Sequence, residues 1–192
     1  MGREFELKYR ADGAAIAAIR EKYGPFTPIS METAYYDTFD MKLAMHHWTL
    51  RRRMENGVSV CTFKKPLEDG SRGEWEVQCD AILPAVMQLC QNGAPWELMR
   101  ATAGGVIQTC GAKFTRLAAT LEVGGCTLEL ALDQGMLTGR NRELPFAEVE
   151  VELKSGEDAA AVAFAQALAA EFGLTPEPKS KFARAIALAF QG

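Results

Sequence analysis

The chain has 192 residues, 48% hydrophobic and 24% charged, which is the balance of a globular domain and excludes a disordered or fibrous one. Its 21 basic and 25 acidic side chains give a formal charge of −4, which argues against nonspecific nucleic-acid binding but not against a local concentration of cations. No signal-peptide core is visible and no run approaches the roughly 20 apolar residues that span a bilayer, so a single cytoplasmic domain covering 1–192, with no membrane partner, is expected.

In chain order, Glu4 to Lys8 reads as a strand with charge on every second residue. Asp12 is placed to cap a helix carrying Ile16, Ile19 and Tyr23, which Gly24-Pro25 stops. Strands follow at about Glu32 to Asp37 and Trp48 to Met54; Asn56-Gly57 then predicts a tight hairpin turn into Val58 to Lys64. Pro66 to Gly70 reads as a loop and Arg72 to Cys79 as a strand. Asp80 is a candidate cap for a helix over Ala81 to Cys90, and Pro95 opens a second short helix. A second hairpin, Phe114 to Val123 and Thr127 to Asp133, turns at Gly124-Gly125. The strand Glu148 to Leu153, a helix from Ala159 to Glu171 and a last helix from Lys181 to Phe190 complete the chain.

The five cysteines form no Cys-x-x-Cys pair, and the two histidines are the adjacent His46 and His47, so a zinc site is unsupported and the thiols read as reduced and structural. Trp48, Trp75 and Trp96 read as packing anchors. About eight mostly antiparallel strands with helices packed around them predict an α+β domain built on an eight-stranded antiparallel β-barrel. Strand parity then sends Glu4, Glu6, Lys8, Arg51, Arg53, Thr62, Lys64, Arg72, Glu74, Glu76, Arg116, Glu129, Asp133, Glu148, Glu150 and Glu152 inward. Phe63, Trp75, Val77, Leu117, Leu128, Leu130, Leu132, Val149, Val151 and Leu153 face the helices. Arg52 breaks the basic strand, so a slip of one residue would turn it inward in place of Arg51 and Arg53.

For any one strand a solvated charged face is sufficient explanation. The joint pattern, acidic at both ends of the chain and basic between, asks for more. Like carboxylates on one strand face lie about 6 to 7 Å apart, which costs about 2 to 3 kcal/mol per pair at an effective dielectric near 20. Carboxylate clusters suit Mg²⁺ or Mn²⁺, and neighbouring arginines and lysines suit phosphate oxygens.

The ordered set Glu4-x-Glu6-x-Lys8, Tyr35-Tyr36-Asp37-Thr38, Leu50-Arg51-x-Arg53, Thr62-x-Lys64, Arg72-x-Glu74-x-Glu76, Arg116, Asp133, Glu148-x-Glu150-x-Glu152 and Ser180-Lys181 resembles the CYTH, or triphosphate tunnel metalloenzyme, superfamily over nearly the whole chain, and within it the bacterial inorganic triphosphatases. The resemblance implies a barrel-shaped tunnel that binds a triphosphate with two divalent ions, Mg²⁺ or Mn²⁺, and cleaves a phosphoanhydride. It implies that Glu4 and Glu6 hold metal with Glu148 and Glu150 while Asp133 and Glu152 assist nearby, the pair on the last strand being Glu148/Glu150 in preference to Glu150/Glu152. Lys8, Arg51, Arg53, Lys64, Arg72, Arg116 and Lys181 would grip phosphates, and Glu6, Lys8, Arg53 and Glu150 would be the catalytic group. The partner implied is inorganic triphosphate or another triphosphorylated small molecule, and a helical CHAD domain can follow in a longer native chain. Three other outcomes stay open: a class IV adenylate cyclase, a thiamine triphosphatase, or a noncatalytic polyphosphate-binding module.

Overall fold

The computed structural model describes residues 2–3, 5–68 and 72–190; Glu4, named above as a metal ligand, and the end of the 66–70 loop lie outside them. The strands are β1 (Gly2–Arg3), β2 (Glu6–Arg10), β3 (Thr27–Asp37), β4 (Thr49–Glu55), β5 (Val58–Pro66), β6 (Arg72–Gln78), β7 (Ile107–Val123), β8 (Cys126–Gly139), β9 (Arg142–Ser155) and β10 (Thr175–Pro176). They form one sheet in the order β1-β6-β5-β4-β3-β7-β8-β9-β2-β10. Every pairing is antiparallel. β1 pairs with β6 at one end of the ladder and β2 pairs with β9 near the other, yet only residues 4 and 5 separate them. The sheet is therefore wrapped until its two ends adjoin at the N-terminal segment, enclosing one face, and among the described residues β1 and β2 are joined by the chain rather than paired with each other.

The hairpins form where turn chemistry places them. Asn56 and Gly57 both have positive φ, 48° and 88°, the geometry of a two-residue turn whose twist matches its strands. Asn56 Oδ1 also accepts the Ser30 N–H at 2.8 Å, tying the turn to β3.

The helices are α1 (Gly13–Tyr23), α2 (Lys42–Met45), α3 (Ile82–Gln91), α4 (Trp96–Thr102), α5 (Asp158–Phe172) and α6 (Lys181–Phe190). Asp12 caps α1 by accepting the Ala15 N–H at 2.8 Å. Asp80 does not cap α3: Ala81 holds that position and no side chain serves it. Two apolar cores cover the outer face of the sheet. Leu128, Leu130, Leu132, Val149 and Val151 pack under α1 and α5 against Ile16, Ile19 and Leu168. On the other side Leu50, Phe63, Trp75 and Val77 pack under α3 and α4 against Val86, Leu89 and Leu98. Phe63 stacks on Trp75 at 5.7 Å and meets Trp48 edge-on at 5.4 Å. Each large side chain buried this way contributes about 1.5 to 3 kcal/mol, which is what pins the strand parity. Trp96 is not such an anchor; it is 51% exposed at the start of α4.

The last helix departs from the expected arrangement of helices around the barrel. α6 lies on the enclosed face, where Phe182, Ala185 and Ile186 meet Met31, Tyr35, Ala112, Phe114, Leu137 and Phe146. Gly139 permits this approach, because a Cβ there would stand 2.5 Å from the Ala189 nitrogen and 2.7 Å from the Ala185 oxygen.

Candidate active site

The register of β7, β8, β9 and β2 lines charged residues up in rows across the enclosed face. One row runs Arg116, Asp133, Glu148, Arg10; the next runs Ala118, Ala131, Glu150, Lys8; the third runs Thr120, Glu129, Glu152, Glu6. Residues directly opposite one another have Cβ atoms only about 4.5 to 5.5 Å apart, so carboxylates placed side by side repel unless cations intervene.

In the first two rows the cations are built in. Arg116 grips Asp133 with two bonds of 2.8 Å and also contacts Glu150. From the first turn of α6, Lys181 Nζ reaches Asp133 at 2.7 Å, Glu148 at 2.8 Å and Glu150 at 2.6 Å. These three carboxylates form a group whose oxygens lie within 4.8 Å of one another, compact enough for a metal ion, and the ammonium of Lys181 sits among them. Ser180 starts the helix by accepting the Ala183 N–H at 3.0 Å, and the Phe114 and Phe146 rings lie 5.2 and 5.5 Å from Nζ. One turn further on, Arg184 meets Glu148 as well.

The third row differs in access. Glu6, Glu129 and Glu152 have side chains 27%, 27% and 26% exposed, whereas Asp133 and Glu148 are fully buried. Lys154 stands beside this row, 2.8 Å from Glu152 and 3.6 Å from Glu129, and Lys8 is 3.8 Å from Glu6.

Further round the sheet, β4, β5 and β6 supply cations with a thinner set of acids. Arg51 lies 3.7 Å from Glu74 and 3.8 Å from Glu76, Lys64 is 3.1 Å from Glu74, and the Thr62 hydroxyl donates to Glu76 at 2.8 Å. Arg53 pairs with Glu55. Arg52 points the other way, donating to the Asp80 carbonyl at 2.8 Å, so the register that sends Arg51 and Arg53 inward holds. Arg72 sits exposed at the rim, 3.4 Å from the His47 carbonyl. Tyr35, on β3 opposite Arg51, is buried against Phe182 with ring centroids 5.1 Å apart.

Burial and neighbouring charges bias protonation. Burial raises the Glu150 carboxyl, but Lys181, Arg116 and Lys8 more than offset it and hold the group well below the usual carboxylate range. Burial lowers Lys181, yet Glu150 and Asp133 leave it raised. Lys8 goes the other way: burial outweighs Glu6 and Glu150, and its pKa falls below 10.5. Burial, with Arg51 nearby, also lowers Arg53. The Cys61 and Cys110 thiols are pushed up to about 11 by burial, which makes them inert.

The enclosed face thus brings together Glu6, Lys8, Arg51, Arg53, Lys64, Arg116, Asp133, Glu148, Glu150, Glu152 and Lys181. Asp37 has a structural task, since its carboxylate accepts the N–H groups of Thr38, Leu43 and Ala44 at 2.7 to 2.9 Å and closes the turn into α2. Arg184 and Lys154 escape a strand-by-strand reading. Lys154 carries a readable signal, because it shares the parity of Glu148, Glu150 and Glu152; Arg184 follows Lys181 by three residues on a helix, and its burial depends on where that helix docks.

Comparison with known proteins agrees with this geometry. The CYTH domain profile matches residues 2–186. Among solved structures, a Hippeastrum protein proposed as an adenylyl cyclase and described as having a dominant triphosphatase activity superposes with a TM-score of 0.69 at 21% identity, covering 96% of this chain and 95% of its own. A Pyrococcus horikoshii protein gives 0.63 at 20% identity over 95% and 99% of the two chains. A Bacillus halodurans protein proposed as an adenylate cyclase gives 0.61 at 17% over 94% and 96%. At these identities the likeness speaks for the fold. The chain belongs to the CYTH domain family, whose members include triphosphatases and adenylate cyclases and are typically enzymes that act on triphosphates with a divalent metal.

Proposed function

We propose that this protein is a divalent-metal-dependent hydrolase that cleaves inorganic triphosphate to pyrophosphate and phosphate. What supports the reading above all is one arrangement: a cationic set, Arg51, Arg53, Lys64 and Arg116, shares an enclosed face with an accessible row of carboxylates, Glu6, Glu129 and Glu152. A pure polyanion binder gains nothing from that row, whereas a metal ion needs it. All donors are carboxylate oxygens, which suits Mg²⁺ or Mn²⁺. Glu6 and Glu152 would hold the metal, with Glu129 adjacent; Glu150 belongs with Asp133 and Glu148 to the buried trio that already holds the ammonium of Lys181. When bound, the metal supplies an activated water and neutralises phosphate charge.

The chain's own residues do the rest. Arg51, Arg53 and Lys64 bind phosphate oxygens and set the register of the triphosphate, and Lys8, beside Glu6 and Glu150, brings a cation to the boundary between the acidic and basic sets. Arg116, held in place by Asp133, stabilises charge that develops on the leaving pyrophosphate. Arg72, exposed at the start of β6, is a further cation that a phosphate oxygen could meet.

The test is phosphate and pyrophosphate release from inorganic triphosphate, ATP and thiamine triphosphate, each with Mg²⁺, Mn²⁺ or EDTA. Metal-dependent preference for inorganic triphosphate is expected. Cyclic AMP and pyrophosphate from ATP would replace the reading with a cyclase. Glu6→Gln is expected to cut turnover by about 100-fold or more while leaving triphosphate binding largely intact, measured by calorimetry; unchanged turnover would sink the metal assignment.

A further inference from the structure

Glu148 is fully buried, and among the described residues both of its ion-pair partners come from one helix: Lys181 at 2.8 Å and Arg184, three residues later on α6. Its neighbour across the ladder, Arg10, is 61% exposed and turns to Glu177 at 3.4 Å. Glu177 lies 3.9 Å from Arg184 in turn, so Arg184 sits between a carboxylate of β9 and one in the segment that leads from β10 into α6. The Phe146 ring is 5.5 Å from both Lys181 and Arg184, which fixes one side of the helix against β9. A carboxylate removed from water in this way is held by its counter-charges, and the counter-charges are held by it.

We propose that Arg184 and Glu148 are a positioning pair: together they set α6 on the enclosed face so that the Lys181 ammonium stands between Asp133 and Glu150, and Glu148 serves this purpose rather than metal binding. Lys181 is the group this placement serves, since Asp133 and Glu150 also bind Arg116 and thereby adjoin the cations assigned to phosphate. The kinetic consequence rests on the triphosphatase reading; the placement of Lys181 does not.

The experiment compares wild type with Arg184→Met, Arg184→Lys, Glu148→Gln and the Glu148→Gln/Arg184→Met double variant. First, without substrate, lysines are acylated with acetic anhydride and their rates read by mass spectrometry. Lys181 is expected to be protected in wild type and Arg184→Lys, and to react about tenfold faster in Arg184→Met and Glu148→Gln with Lys8 and Lys64 unchanged. Second, the KM for inorganic triphosphate is expected to rise about tenfold in Arg184→Met and in Glu148→Gln, no further in the double variant and little in Arg184→Lys, with half-saturating Mg²⁺ unmoved. Continued protection of Lys181 overturns the proposal. So does a general rise at Lys8 and Lys64, which would mean that the pair holds the whole domain, and so does a shift in the Mg²⁺ requirement of Glu148→Gln with Arg184→Met silent, which would make Glu148 a metal ligand. If wild type cleaves no triphosphate, the functional reading fails while the acylation rates still decide the positioning pair.

Discussion

Lys8 is the residue whose chemistry the fold alters in a directly measurable way. Burial lowers its pKa beneath 10.5 despite Glu6 and Glu150, so its charge is lost earlier on the alkaline side than that of a free lysine. Triphosphate affinity is therefore expected to weaken as pH rises while still below 10.5, and Lys8→Arg, which stays charged, should move that limb upward; a calorimetric pH series on both proteins checks it. The alternation that exposed Lys8, Glu6, Arg51 and Arg53 as a set was readable because a strand assigns faces by parity alone. Arg184 was not readable on those terms. A helical position becomes a site position only through docking, and the docking partner, Glu148, is 36 residues upstream on a different element.

At the scale of elements, the strands ran longer than turn and propensity signals implied. β7 begins at Ile107 rather than near Phe114, and β9 at Arg142, running through Pro145, because tertiary pairing with β3 and β8 extends ladders past the residues whose own preferences favour a strand. The hairpins at Asn56-Gly57 and Gly124-Gly125 were legible, since a two-residue turn needs positive φ at both positions. The inward placement of α6 was not, since its apolar stripe suits an outer groove equally well. Gly139 is the feature that decides it. Gly139→Ala forces α6 off the sheet and is expected to cost about 1 to 3 kcal/mol in urea denaturation and to depress turnover, whereas Gly104→Ala, where nothing lies within 4 Å, should leave both unchanged. Equal behaviour of the two variants would mean that α6 does not need its close seat.

For the molecule as a whole, the ion pairs around α6 set a pH window. Glu150 is depressed below 4.5, so its stabilising contribution is complete above 4.5 and is lost as pH falls through the lower folded value. Lys181 is raised above 10.5, so its contribution is complete below 10.5 and is lost only as pH climbs through the higher folded value. Calorimetry is expected to show the contribution of this network level between these limits and falling on the acid side; Glu150→Gln should flatten that acid fall, and an unchanged acid limb would show that other carboxylates govern it.

The wrapped sheet also has a history in time. The segment that brings its ends together comes before both of its partners in the chain: Glu6 pairs only when Glu152 exists, and Gly2 only with Glu74. β2 must therefore wait for β9 to be made, and joining it is a late event in a chain dominated by distant contacts. Weakening that join, for example with Leu7→Ala, is expected to hasten unfolding in stopped-flow measurements and to leave the refolding rate almost untouched. The ladder is joined at β2 only after the strands between have been made.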